Sequence, residues 1–168
     1  LDALVYLGFV DRHPNRGVVV RRRTLEEILR LFDMREVNEG LCARIAAANV
    51  PPGSWDDLIE LFGAPMEAVA ERKDLHAYVQ HYELLRRRLI EAADAPPLAD
   101  LLHRLCDMTD IFVRRVLISS DRAQHALHDH RAVLEALRRN DAEAAERMRR
   151  ATIANIRTAV ERYSAFVL

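Results

Sequence analysis

Lysine is all but missing from this chain: Lys73 stands alone among 25 basic residues, and every other cation is an arginine. Cysteine is nearly as scarce. Cys42 and Cys106 are the only two, with no C-x-x-C spacing and no cluster of ligands nearby, which argues against a disulfide framework or a thiolate metal centre. Both are expected to pack as small hydrophobes in a reducing cytoplasm. No apolar run approaches the roughly 20 residues needed to span a bilayer, and no secretory signal is visible, so no membrane partner is expected. Net charge is also lacking. A formal charge of −1 gives no global attraction to nucleic acid, so any DNA-binding surface must be local.

Such a local surface exists at the start. Residues 11–23 hold Arg12, Arg16, Arg21, Arg22 and Arg23 against the single acid Asp11. Residues 9–13 and 17–22 are rich in valine and arginine and flank Pro14-Asn15-Arg16-Gly17, where proline and glycine bracket a turn and glycine is free to take φ > 0. This spacing predicts a two-stranded hairpin. A hairpin with almost nothing before it cannot bury a core, so it is expected to belong to something larger than this chain.

From Thr24 onward the period changes to that of helices. Thr24-x-x-Glu27 matches a capping box, and Leu25, Ile28, Leu29, Phe32, Val37, Leu41 and Ile45 recur near 3.6 residues until Val50-Pro51-Pro52-Gly53. Ser54 is the expected cap of a short helix reaching about Phe62, and Gly63-Ala64-Pro65 should break or kink the helix beyond it. Asp74 can cap a helix running to about Ala93. Further helices are expected over 98–118, 121–139 and from Asp141 onward, with a joint at Ser119-Ser120 and a turn at Asn140-Asp141. No strand-like alternation follows Arg23, and no segment is of low complexity. The fold class is therefore all-α, an antiparallel bundle of about six helices, and a chain of 168 residues that is half hydrophobic can bury one such core. The stripe Leu98, Leu101, Leu102, Leu105 and Phe112 reads as core or dimer interface, with core favoured.

Three segments carry a family resemblance. The first is Gly8-Phe9-Val10 followed by Pro14-Asn15-Arg16-Gly17 and valines. The second runs from Thr24-Leu25-Glu26-Glu27-Ile28 through Arg35-Glu36 to Glu39. The third is Asp129-His130-Arg131-Ala132-Val133-Leu134-Glu135-Ala136-Leu137 with Asn140-Asp141-Ala142-Glu143 after it. In this order they resemble the FadR-type branch of the GntR family of bacterial transcription regulators, which joins a winged-helix DNA-binding domain to a helical effector domain called FCD.

The resemblance implies that residues 1–23 are the remnant of a winged helix-turn-helix, ending in its wing. Residues 24–168 would be an FCD-like effector-binding and dimerisation domain. Arg12, His13, Asn15, Arg16 and Gly17 would then meet DNA, with arginines on phosphate or in the minor groove. A DNA operator, a homodimer partner, a small organic acid effector and a cytoplasmic location are implied by the same resemblance.

FCD domains commonly hold a divalent metal with one Asp and three His. Aligned on this chain, those positions read Tyr82, Arg86, His130 and Thr152, so only His130 survives, unless the register shifts by one residue and brings in His81. A neutral imidazole with a phenol, a hydroxyl and a guanidinium is a poor ligand set, because arginine is cationic and cannot ligate. The expectation is no metal and no other cofactor. In its place stands an effector pocket of Arg86, Tyr82, His130 and Thr152, with Arg35 and Asn38 as additions and Arg86 supplying the positive charge.

His125 and His128 read as surface residues, and His76, His81 and His103 have no convincing partner spacing. Two rivals remain. One is a ligand-free dimerisation module in which Arg86 forms only an internal ion pair. The other, disfavoured because no second acid or nucleophile supports it, is an enzyme using His130 as base.

Overall fold

The computed structural model describes residues 2, 5, 10–13, 17–118 and 122–167. Strands β1 (Val10–His13) and β2 (Gly17–Val20) pair antiparallel with Val10 opposite Val20 and His13 opposite Gly17. Gly17 has φ +75°, the left-handed conformation for which the turn needs a glycine.

Helix α1 (Leu25–Asn49) begins at the predicted capping box: Thr24 Oγ1 accepts from the Glu27 amide at 3.2 Å, and Glu27 Oε2 accepts from the Thr24 amide at 2.8 Å. It ends where Val50 turns extended before Pro51. Two short helices come next, α2 (Asp56–Leu61) and α3 (Ala64–Glu71). The expected Ser54 cap is not made. Trp55 holds the N-cap position of α2 without a side-chain bond, because the Ser54 hydroxyl donates backwards to the Pro51 carbonyl at 2.7 Å. Gly63 and Pro65 do break the chain, and Pro65 lies in the first turn of α3, where its missing N–H is harmless.

Asp74 caps α4 (Leu75–Ala93) through the Ala77 amide at 3.0 Å, and Asp94 ends it in the left-handed region at φ 45°. Helices α5 (Pro96–Ile118) and α6 (Arg122–Arg138) run next, the expected joint at Ser119-Ser120 lying outside the described residues. Asn140, at φ 52°, ties the turn after α6 to the end of α1 by donating to the carbonyls of Ala47 and Val50, both at 2.9 Å. Asp141 then caps α7 (Ala142–Arg162), and a single turn, α8 (Ser164–Val167), completes the description.

α1 packs along α7 and against α4 and α5, while α6 lies on α7. Close approach of α1 and α7 needs Gly40, since a Cβ there would run into the Arg150 side chain. The apolar core has two parts. One gathers Trp55, Leu58, Phe62, Met66, Leu85, Leu89, Leu102, Leu134 and Leu137; the other gathers Ile28, Phe32, Val113, Val116, Ile153, Ile156 and Val160. Leu102 and Leu105 are buried, so the α5 stripe is centred on the core.

The two parts are separated along three helices by buried polar residues. On α1, Arg35 and Glu39 lie between Phe32 and Cys42. On α5, Thr109 lies between Leu102 and Val113, and on α7 Arg149 and Thr152 lie between Ala145 and Ile156. A polar layer thus crosses the bundle interior.

Candidate functional site

Each helix brings its share of that layer by the i, i+3 or i, i+4 spacing of one face. Arg35 and Glu39 come from α1, Tyr82 and Arg86 from α4, Thr109 and Asp110 from α5, His130 from α6, and Arg149 and Thr152 from α7. Arg35 is fully enclosed and fully used: Nε donates to Glu39 Oε1 at 2.7 Å, Nη1 to Thr109 Oγ1 at 2.7 Å and Nη2 to the Tyr82 hydroxyl at 3.2 Å. Arg86 donates through Nη1 to both oxygens of Asp110, at 2.9 and 3.0 Å.

Arg149 differs. It is just as deeply enclosed, and its Nη2 meets Glu39 Oε2 and approaches the Tyr82 hydroxyl at 3.5 Å. Among the described residues its Nε and Nη1 are buried and have no hydrogen-bond partner, and Arg122 Nη2 is the other guanidinium nitrogen in that state.

Tyr82 is the hub of the layer. Its ring stacks on His130 with centroids 5.1 Å apart, and the guanidiniums of Arg86 and Arg149 each lie 5.7 Å from its centre. Phe62 meets His130 edge-on at 5.7 Å. Burial, reinforced by the Arg149 charge, pushes the His130 imidazole down to about 3, so it is neutral at ordinary pH, and its Nδ1 has no partner among the described residues. Burial alone would raise the Glu39 carboxyl, but the charges of Arg149 and Arg35 outweigh it and hold the group at about 2. Three guanidiniums therefore face two carboxylates, Glu39 and Asp110. Among these five described residues one positive charge is in excess.

Two small cavities touch this layer. One is lined by Arg149, Arg86 and Glu39 with Cys42, Leu89, Ile90, Leu102 and Cys106. The other lies beside Tyr82 and His130 among Val113, Val116 and Ile156, with Arg122 at its wall. Each has room for about one water molecule.

A family model described as the FCD domain matches residues 30–163. The chain belongs to the FCD domain family. Solved structures share the fold of this FCD protein. McbR/YncC of E. coli aligns at 16% identity and a TM-score of 0.81 over 96% of this chain and 81% of that one. Lar, described as controlling expression of the Listeria monocytogenes agr system and mediating virulence, aligns at 18% and 0.68 over 96% and 77%. Streptococcus agalactiae GntR aligns at 16% and 0.60 over 94% and 78%. No curated protein sequence matches the chain. The FCD part of the resemblance, read from the first long helix and the His130 segment, is borne out.

The family's metal does not suit the residues that this FCD domain places here. The Tyr82 hydroxyl accepts from two guanidiniums, Thr152 Oγ1 donates to the Met148 carbonyl at 2.9 Å, and Arg86 is committed to Asp110. Among the described residues no group of three His, Cys, Asp or Glu side chains could hold an ion. The one-residue shift of register is not supported either. His81 turns its Nδ1 to Met66 Sδ at 3.3 Å, and Tyr82 is the residue on His130.

Of the residues expected to form the pocket, the structure brings Tyr82, Arg86, His130 and Arg35 into the layer. Thr152 is buried one turn from Arg149 with its hydroxyl returned to its own helix. Asn38 does not join, because its amide donates to the Met34 carbonyl at 2.8 Å. Arg86 needs the larger correction: it is neutralised by Asp110 and cannot be the spare charge. That role falls to Arg149, which sequence reasoning missed together with Glu39, Thr109 and Asp110. The available signal was the spacing Ala145, Arg149, Thr152, Ile156 on α7, which puts an arginine in an inward row.

On the hairpin, Arg12 and His13 are exposed, and Arg12 Nη2 lies 2.5 Å from Asp2 Oδ1. Asn15 and Arg16 lie outside the described residues, and Gly17 opens β2.

Proposed function

We propose that this FCD protein is a DNA-binding transcription regulator, rather than an enzyme, whose helical bundle senses a small carboxylate-bearing metabolite without a metal ion. The observation that carries the reading is the buried Arg149 guanidinium with two unpartnered nitrogens. An uncompensated buried cation is costly, and an entering carboxylate would supply both the counter-charge and the missing acceptors. In this reading Arg149 does what a metal does in relatives, with Arg35, Tyr82, Arg86 and His130 around it.

A route to the hairpin exists in the same contacts. Glu39, the partner of Arg149, lies on α1, and only four residues, 21–24, separate α1 from the end of β2. Arg23, in that connection, reaches Met108 Sδ on α5 at 3.4 Å. Binding that redraws the Arg149–Glu39 contact would move α1 and with it the wing residues Arg12, His13 and Gly17 relative to an operator. Asn15 and Arg16 of the turn are assigned to the same DNA surface. The exposed row Met34, Val37 and Leu41 on α1 supports a homodimer, the arrangement that would set the spacing of two half-sites.

Calorimetric titration with a panel of organic acids tests the reading. Wild type is expected to bind at least one, and Arg149→Met to bind none while staying folded. The tightly filled interior and the Arg86–Asp110 pair favour one second reading, a ligand-free dimerisation module. Absence of any acid binding in a folded dimer would select it.

A further inference from the structure

We infer that the acid is a short monocarboxylate with a hydrocarbon body, held by Arg149 with its body against Leu89, Ile90, Leu102, Cys42 and Cys106. The inference rests on the acid-sensing reading above and concerns which acid that site prefers.

The lining of the cavity at Arg149 decides the matter. The other charged groups there are already engaged: Glu39 Oε1 accepts from Arg35, Glu39 Oε2 from Arg149, and Arg86 donates to Asp110. Cys42 Sγ lies 3.5 Å from the Leu89 carbonyl, and thiols are weak hydrogen-bonding groups in any case. Three aliphatic side chains and two sulfurs make up the rest of the wall. A ligand hydroxyl placed there would lose its water partners and gain none.

Charge gives the second constraint. The layer holds one positive charge in excess, so one carboxylate neutralises it. A second carboxylate would leave a buried negative charge with no unpartnered cation at that cavity. Size gives the third: the closed cavity has room for about one water, so even a four-carbon acid enters only if the side chains around it move aside, and a long chain would have to displace helices throughout the bundle.

Matched pairs of acids measured by calorimetry on the whole chain separate these terms. Isobutyrate and lactate differ only by methyl against hydroxyl, and butyrate and succinate by the second carboxylate. An apolar wall discriminates against an added hydroxyl by at most about 100-fold, so isobutyrate is expected to bind about 10- to 100-fold more tightly than lactate, and butyrate more tightly than succinate. Leu102→Ala, which enlarges the wall without touching Arg149, is expected to shift preference toward valerate. Lactate or succinate binding as well as its partner overturns the inference and leaves acid sensing intact. Failure of every acid, with Arg149→Met indistinguishable from wild type, overturns both.

Discussion

Arg149 of α7 and Glu39 of α1 form an ion pair wholly inside the bundle, and the pair engages only one of the three guanidinium nitrogens. Glu39 by contrast has both oxygens engaged, with Arg35 on the other one. The two partners are therefore unequal: one is the excess charge of the interior, the other is what keeps two cations there.

That inequality predicts unequal mutational costs. Glu39→Gln leaves two buried guanidiniums, Arg35 and Arg149, without the carboxylate they share and is expected to destabilise by about 3–5 kcal/mol, the usual cost of stranding a buried charge. Arg149→Met removes the excess charge while Arg35 stays with Glu39, and should lose less than about 2 kcal/mol. Urea denaturation of both variants checks this, and a larger loss for Arg149→Met would contradict the charge assignment.

The stability of the fold should depend on pH through His130. In the folded chain its imidazole is depressed to about 3 from an ordinary value of 6.5, so between these values the unfolded chain takes up the proton and the folded one does not. Stability contributed this way is complete above about pH 6.5 and declines as pH falls toward 3, by at most about 1.4 kcal/mol per pH unit. Glu39, held at about 2 from 4.5, adds a second decline only below about 4.5. In His130→Leu the decline between 6.5 and 4.5 should vanish and the lower one remain, as followed by denaturant midpoints across the pH series.

Gly40→Ala should be destabilising although alanine is the better helix former. The gain in propensity is about 1 kcal/mol, while the new Cβ meets the Arg150 side chain, which is itself held by Glu36 at 3.0 Å. Overpacking of this kind costs about 1–3 kcal/mol. Combining Gly40→Ala with Arg150→Ala should recover most of the loss in melting temperature; no recovery would show that another contact sets the α1–α7 approach.

Cys42 and Cys106 should resist thiol reagents in the folded protein. Burial is the main cause that pushes their thiols up, to about 12 and about 11, so neither is appreciably ionised at pH 8. Labelling by a disulfide reagent at that pH should proceed only at the rate of unfolding, and fast labelling of either residue in native buffer would disprove it.

Much of this was legible from residues close together in the chain. The capping box at Thr24, the caps Asp74 and Asp141, the breaks at Pro51 and Gly63, and the turn at Gly17 all depend on neighbours within about four positions, and local chemistry settles them. Ser54 shows the limit even there, since its hydroxyl had two backbone targets and took the earlier one. The pocket was harder. Tyr82, Arg86 and His130 were placed inward by register, but the partner of Arg86 is 24 residues away and that of Arg149 is 110 away. No spacing rule reaches those distances.

The sequence by itself determined that this is a helical bundle behind a basic hairpin, and family register placed Arg35, Tyr82, Arg86 and His130 on inward faces. Periodicity, caps and residue type suffice for the first. Only the tertiary structure decided which arginine is spare. Asp110 takes Arg86, and Glu39 is shared by Arg35 and Arg149, because helix packing sets which carboxylate each guanidinium can reach. Charge compensation in the interior is a property of that packing, and among the described residues it leaves two nitrogens of Arg149 without an acceptor.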